Sequence, residues 1–199
     1  MRKIVFLLVA AAMVFMVPSV EAQQAYPLGR ANVALKLDYL RFTSSEVEDL
    51  GLENAMYIGG EVFFPVWRAL YLGLETGYAW SSGDVDVFGF DVDLDLGYVP
   101  IEFNAKYVFE LSPCLTLDFG AGIFYSYLNI DASVNGLSAD EDDWVFGGQF
   151  FADLNYKVGR WFVGANIKYQ ITEDISLGGI DTDVSADNFR VGGQVGFLF

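Results

Sequence analysis

The sequence predicts an all-β protein, an eight-stranded antiparallel up-and-down transmembrane β-barrel. Three observations lead to this prediction. From residue 32 onward, large apolar residues alternate with small or polar ones in eight segments, and no segment sustains a helical period. Hydrophobic residues make up 53% of a chain whose net charge is −16, a combination that suits a surface divided between lipid and water. Beyond the N-terminal segment, no apolar run is long enough for a transmembrane helix.

The N-terminal segment has the pattern of a secretory signal peptide. Arg2 and Lys3 precede an apolar run from Ile4 to Val17, and the small residues Val20 and Ala22 frame a cleavage site. We therefore expect residues 1–22 to be removed on export and residues 23–199 to form the barrel domain. A membrane anchor is the alternative, but it needs about 20 apolar residues and this run is shorter.

Eight strands follow, each close to the ~9–11 residues that a tilted membrane strand needs. Their predicted membrane portions are Asn32–Phe42, Ala55–Phe64, Leu70–Trp80, Tyr98–Phe109, Leu115–Tyr127, Trp144–Tyr156, Trp161–Ile171 and Asn188–Phe199. Short connections at 65–69, 110–114 and 158–160 alternate with long ones at 43–54, 82–93, 129–143 and 172–187. Because transmembrane barrels have short periplasmic turns and longer extracellular loops, we expect both termini in the periplasm.

Each strand has one apolar side and one small or polar side. In the third strand Leu70, Leu72 and Leu74 point one way, and Gly73 and Glu75 the other. Aromatic residues gather at both strand ends, as they do at membrane interfaces. One belt contains Tyr39, Tyr78, Trp80, Tyr125, Tyr127, Trp144 and Tyr169, and the other contains Phe64, Trp67, Tyr107, Phe109, Tyr156, Trp161 and Phe199. A soluble lipocalin-type barrel would bury the apolar side instead, so the pattern favours a membrane barrel.

The inward side carries six acidic and four basic residues. They are Lys36, Asp38, Glu61, Glu75, Glu102, Lys106, Asp118, Asp153, Lys168 and Arg190. An eight-stranded barrel is only wide enough for its own side chains, and isolated buried charges are costly. We therefore predict an ion network that closes the lumen. The alternative is a narrow proton or ion path.

Three long loops have turn signals at their apices, Phe88-Gly89, Asn135-Gly136 and Gly178-Gly179, which indicates hairpins that continue the strands beyond the membrane. If side chains continue to alternate between inward and outward through these hairpins, aspartates face outward and apolar residues face inward. The resulting apolar mouth would contain Leu40, Phe42, Val85, Val87, Val92, Leu94, Leu96, Leu128, Ile130, Val134, Ile180 and Val184. Either these residues pack as a cap, or they form a pocket for a small hydrophobic ligand.

The four long loops contain 18 acidic residues and no Lys or Arg. Such a charge run is either a solvated face or a surface on which divalent cations bridge to anionic lipopolysaccharide. No metal ligands can be named, because no ligand spacing is present, and we expect no cofactor. The acidity argues against nucleic acid as a partner. The lone Cys114 has no partner for an internal disulfide.

The whole mature sequence resembles the small eight-stranded outer-membrane barrels, a group that includes the OmpA barrel domain and the OmpX and OmpW types. The resemblance is carried by VPIEFNAKYVF at 99–109, LDFGAGIFYSYL at 117–128 and the closing VGGQVGFLF. It implies a porin-like protein of the Gram-negative cell envelope, in contact with outer-membrane lipid. It also implies that Phe197 and Phe199 form the C-terminal signal for the barrel-assembly machinery, although Gln194 stands where such signals usually have glycine.

The resemblance covers adhesion, structural and hydrophobic-transport members, so it leaves the activity open. The chain has no histidine, and the enzymes among outer-membrane barrels depend on one, so we expect no enzymatic activity. The first hypothesis is a structural or surface-interaction barrel that displays its hairpins to an extracellular partner. The alternative is a conduit or receptor for small hydrophobic ligands.

Overall fold

In the computed structural model, which describes residues 29–87, 90–134, 137–177 and 180–199, eight antiparallel strands close into a ring. The predicted fold class is confirmed. The barrel strands are β1 Asn32–Phe42, β2 Asn54–Trp67, β3 Leu70–Val87, β4 Phe90–Ser112, β5 Leu115–Val134, β6 Leu137–Val158, β7 Trp161–Thr172 and β10 Asn188–Leu198. The short helix α1 Ser45–Asp49 lies between β1 and β2. A separate hairpin of β8 Asp174–Leu177 and β9 Ile180–Ser185 lies between β7 and β10. The predicted signal peptide and the three predicted apices lie outside the described residues.

The ring closes between the first and last strands. Asn32 pairs with Leu198, and the backbone N–H of Phe199 donates to the carbonyl of Ala31 at 2.9 Å. The order of hydrogen-bonded neighbours around the ring is β1-β10-β7-β6-β5-β4-β3-β2. A closed ring has no edge strand, so each strand of the wall has a pairing partner on both sides, as a lipid environment requires. Where the ladder between β3 and β4 is interrupted, the Thr76 hydroxyl donates to the Pro100 carbonyl at 2.8 Å.

Burial alternates strictly along β1, and its sense is opposite to that of a soluble protein. Leu35 is 66% exposed, whereas the neighbouring Lys36 is 2% exposed. Charge therefore lies inside and apolar side chains outside, which is the arrangement of a barrel in lipid. No helix in the described ranges is long and apolar enough to cross a membrane.

Three short turns lie at one end of the barrel, which we call the turn end, and the long hairpins lie at the opposite hairpin end. The turns span 68–69, 113–114 and 159–160, between β2 and β3, β4 and β5, and β6 and β7. Gly159 has a φ of 64°, a left-handed conformation that glycine adopts without strain. Arg68 has a φ of 46°, which makes it the unusual turn residue, and its guanidinium lies 5.3 Å from the ring of Trp67.

Two hairpins continue the barrel strands, as predicted. Val87 pairs with Phe90 across the first, and Val134 with Leu137 across the second. The segment 172–187 also forms a hairpin, but the prediction that it continues the barrel strands is wrong, because β8 and β9 pair only with each other.

The interruption at the third hairpin has a local cause. Asp187 Oδ1 accepts hydrogen bonds from the backbone N–H of Thr172 at 2.7 Å and from its hydroxyl at 3.1 Å, and the hydroxyl in turn accepts from the N–H of Ala186 at 2.8 Å. These side-chain bonds replace the next rungs of the ladder between β7 and β10, so that ladder ends there while the other strands continue.

Candidate functional site: the filled lumen and its mouth

The structure places all ten predicted lumenal charges inside the barrel. Lys36, Asp38, Glu61, Glu75, Glu102, Lys106, Asp118, Asp153, Lys168 and Arg190 are each at most 4% exposed. They come from all eight barrel strands, because the same inward parity recurs around the ring. Nine of them form ion pairs, in two groups that we call the upper and lower layers.

The upper layer lies nearer the hairpin end and balances two acids against two bases. Lys168 Nζ lies 2.8 Å from Glu75 Oε2, and Arg190 Nη1 lies 3.4 Å from Glu75 Oε1. Glu102 forms ion pairs with both Lys168 and Arg190. The carboxylate of Glu102 also accepts a hydrogen bond of 2.7 Å from Gln149. Each charge in this layer therefore has an opposite charge in direct contact, which offsets the cost of its burial.

The lower layer has three acids and two bases. Lys36 Nζ lies 2.7 Å from Glu61, and Lys106 Nζ lies 3.1 Å from Asp118. Asp153 is shared, 3.7 Å from Lys106 and 4.0 Å from Lys36. This layer therefore carries one negative charge more than it has positive charges.

Lys36 joins the two layers, since its Nζ also lies 3.1 Å from Glu75 Oε2. Asp38 differs from the other nine residues: within the described residues its carboxylate forms no salt bridge and accepts a hydrogen bond of 3.0 Å from the Asn166 side chain.

Apolar side chains fill the lumen at the turn end. Two buried clusters lie there: Phe63, Tyr71, Val108 and Phe151, and Ala34, Phe162 and Leu198. Lys106 Nζ lies 4.1 Å from the centroid of the Phe63 ring, so the ion network rests directly on this apolar floor. The sequence predicted small or polar residues on the inward side, and it did not predict that large apolar side chains form a floor there.

Four inward phenylalanine rings are opposite glycines on neighbouring strands. Four such pairs lie directly across the ladder: Phe63 with Gly73, Phe124 with Gly147, Phe151 with Gly120 and Phe162 with Gly196. A Cβ added at any of these glycines would overlap the facing ring. The missing side chain on one strand therefore makes the room that the ring on the next strand fills.

The predicted mouth residues whose side chains are described lie in an apolar cluster at the hairpin end. Leu40, Phe42, Leu94, Leu96 and Leu128 are buried, and Val92 and Ile130 pack against them. The side chains of Val85, Val87, Val134, Ile180 and Val184 lie outside the described part of the structure.

Sequence analysis missed the residues that fill the centre of this cluster. Val47 of α1 and Leu52 of the following turn are 7% and 0% exposed, although both belong to a segment predicted only as a loop. Tyr57 and Tyr98 lie beneath them, and the Tyr98 hydroxyl donates to Gln170 at 3.0 Å, which links the apolar cap to the ion network. The cluster also contains Ala55, Ala79, Val145 and Ala186.

Two cavities lined by described residues lie away from the mouth. One, of about 30 Å³, lies at the turn end between Asn32, Lys106 and Asp118. The other is on the outer wall. Among the described residues, no group of three or more His, Cys, Asp or Glu side chains is arranged to hold a metal ion.

A closed antiparallel ring with paired charges inside and apolar side chains outside defines the class of transmembrane β-barrels. The chain belongs to the family of outer membrane protein beta-barrel domains, which matches residues 7–199. The family and the solved structures below are bacterial outer membrane proteins.

Three solved structures share the fold. OprG from Pseudomonas aeruginosa has a TM-score of 0.62 at 13% identity, over 89% of this chain and 99% of its own. Neisserial surface protein A has a TM-score of 0.58 at 13% identity, over 85% and 97%. The attachment invasion locus protein Ail of Yersinia pestis, in complex with the heparin analogue sucrose octasulfate, has a TM-score of 0.54 at 13% identity, over 85% and 99%. No curated protein matches the sequence.

Proposed function

We propose that this protein is a non-enzymatic outer-membrane barrel with a structural and surface-interaction role, whose lumen is closed to bulk flow. The observation that carries the proposal is that packed side chains occupy the described lumen at both ends and at mid-height, around a cavity of about 30 Å³ at the turn end. An apolar floor, two layers of ion pairs and an apolar cap follow one another between the turn end and the hairpin end.

The closed lumen follows from the tight pairing of its charges. Arg190 and Glu102 are 0% exposed and bonded to each other, and Lys36 is 2% exposed with two carboxylates within 3.1 Å. An ion passing through would have to separate these partners and leave buried charges uncompensated, at a cost of several kcal/mol for each.

The surface role rests on the charge of the hairpin end. Asp95 and Asp131 are exposed and lie directly opposite each other on β4 and β5, and Asp142 is exposed on β6. Carboxylates without interspersed Lys or Arg attract cationic partners and repel anionic ones. The extracellular partner that fits this chain is therefore a basic protein segment. The structurally similar barrel Ail was solved with the heparin analogue sucrose octasulfate. The acidic surface of this chain leads us to expect the opposite charge preference here.

We also propose an orientation in the membrane and a role for the C-terminal rings in assembly. The turn end faces the periplasm together with both termini, residues 1–22 are the signal peptide, and the hairpin end faces outward. Phe197 contacts Trp161 on the lipid side with ring centroids 5.1 Å apart, and Phe199 is 54% exposed. These two rings are available to the assembly machinery while the last strand is still unpaired.

Two further proposals concern the hairpin end. Divalent cations bound by its carboxylates bridge to lipopolysaccharide, and in that case chelation lowers the thermal stability of the protein in lipopolysaccharide-containing membranes. The alternative function, a conduit for hydrophobic ligands, requires Val47 and Leu52 to leave the mouth, since these two side chains fill its centre.

Single-channel recording in planar bilayers tests the closed lumen. We expect no steady conductance from the purified wild type, and the same from Leu52→Ser, because the ion layers still close the lumen below the mouth. Steady large conductance in the wild type would refute the closed lumen. Uptake of an apolar probe by the wild type, increased in Leu52→Ser, would favour the conduit.

Binding measurements with vesicle-reconstituted protein test the surface role. We expect retention on immobilised polylysine and none on immobilised heparin. A triple variant with Asp95, Asp131 and Asp142 changed to Asn should lose much of the polylysine binding. Equal binding by the variant and the wild type would contradict the role of these carboxylates.

A further inference from the structure

A groove of about 480 Å³ runs along the outer wall across β3, β4 and β5. Ala105 and Ala121 face each other across the ladder and form its base, and Leu72 on β3 closes one end. The next outward rows are large: Phe103 and Ile123 on the side of the hairpin end, and Tyr107 and Phe119 on the side of the turn end. The two alanines therefore leave a depression between two ridges.

The groove offers only apolar contact. Asn104 is the one polar residue of its lining, and its side chain points into the lumen, where its Oδ1 accepts a hydrogen bond of 2.6 Å from Gln149. The backbone groups of the base are used in the ladder that pairs Gly73 with Asn104 and Asn104 with Gly122. A polar occupant would find no partner there, whereas a hydrocarbon would lose no hydrogen bond.

The groove is continuous with the lipid-facing wall and lies between the two aromatic belts, at the depth of the bilayer hydrocarbon. A stable protein interface takes roughly 20–30 residues on each side, far more than the eight residues that line this groove. The ridges are also widely exposed, with Phe103 at 60% and Ile123 at 52%. A flexible chain can follow the depression between such ridges, and a second convex barrel cannot fill it.

We propose that this groove is a binding site for one acyl chain of a phospholipid. Ala105 lies two residues from the ridge residue Tyr107 and is closer to the turn end than to the hairpin end, so the site faces the inner, phospholipid leaflet. The assignment to that leaflet rests on the orientation proposed above. The chain packs along Leu72 and Ala121 and remains bound longer than the lipids that merely surround the barrel.

Native mass spectrometry tests the proposal. The protein is reconstituted into vesicles of phosphatidylethanolamine and lipopolysaccharide, extracted in a mild detergent, and activated until loosely held lipid is lost. We expect one phosphatidylethanolamine on the wild type. Ala105→Leu and Ala121→Leu each fill the groove and should lower its retention about tenfold, the effect of losing roughly two buried methylene contacts.

The matched control is Ala165→Leu, which adds the same side chain to an outward-facing alanine of β7 and should leave retention unchanged. Heat-modifiable migration on unboiled gels shows that each variant is folded. The proposal is overturned by any of four results: no retained lipid, retained lipopolysaccharide instead, equal retention in all variants, or a wild-type dimer that Ala121→Leu disrupts. None of these results bears on the closed lumen, which the conductance measurement tests separately.

Discussion

Replacing Arg190 with methionine should be among the most destabilising changes in the lumen. The guanidinium is 0% exposed and contacts two buried carboxylates, Glu75 at 3.4 Å and Glu102 in a direct ion pair. Methionine leaves these two acids with Lys168 and, at Glu75, with Lys36, which the lower layer already uses, so the network gains one uncompensated buried negative charge. Breaking a buried ion pair in this way costs about 3–5 kcal/mol.

The assay is equilibrium unfolding by urea in lipid vesicles, followed by tryptophan fluorescence, with the change read from the transition midpoint. Arg41→Met is the matched control, because that guanidinium is 53% exposed and lies 3.6 Å from an equally exposed Glu48, so its loss should cost about 0–1 kcal/mol. Adding Glu102→Gln to Arg190→Met leaves one acid and one base in the upper layer. The double variant should therefore recover at least about 1 kcal/mol of the lost free energy of unfolding. The reasoning is refuted if Arg190→Met unfolds within ~1 kcal/mol of the wild type, or if the double variant is less stable than the single one.

Three further changes separate other parts of the structure. Gly120→Ala places a Cβ against the ring of Phe151 and should cost roughly 1–3 kcal/mol, whereas Gly60→Ala, whose Cβ meets nothing nearer than 3.6 Å, should be close to neutral; equal urea midpoints would contradict the overlap. Leu52→Ala empties the centre of the mouth and should cost about 2–5 kcal/mol, measured by thermal unfolding, and a loss below ~1 kcal/mol would mean that the mouth is loosely packed. Asp187→Ala removes the acceptor that ends the ladder at β7, so hydrogen exchange should accelerate across 172–187 and remain unchanged at the turn end; uniform acceleration would instead indicate global destabilisation.

The strands and the inward charges were predictable because they depend on one strong signal. Lipid on one side and a confined lumen on the other force a period of two, so β7 begins at Trp161, as predicted, and Lys168 and Arg190 lie inside. This signal needs no knowledge of which residues face each other across strands.

The missed features depend on contacts that have no period. Val47 and Leu52 lie in a short segment whose apolar residues match neither a helix nor a strand, and they are buried only because the segment folds back over the mouth. The end of the ladder at Asp187 depends on side-chain bonds to the backbone, which composition does not reveal. The alternation in the sequence indicates that these rings and glycines face inward. Which ring meets which glycine depends on the offset between neighbouring strands, which the alternation does not give.

The pairs of rings and glycines bear on how the barrel selects a single strand offset during assembly. A slip of two residues between neighbouring strands keeps every apolar side chain outward and every charge inward, so the bilayer cannot distinguish it from the correct offset. If β6 slipped so that Phe151 faced Gly122, the same movement would place Phe124 against Gln149 instead of Gly147. Steric fit inside the lumen can therefore reject misaligned hairpins that the surrounding lipid would accept.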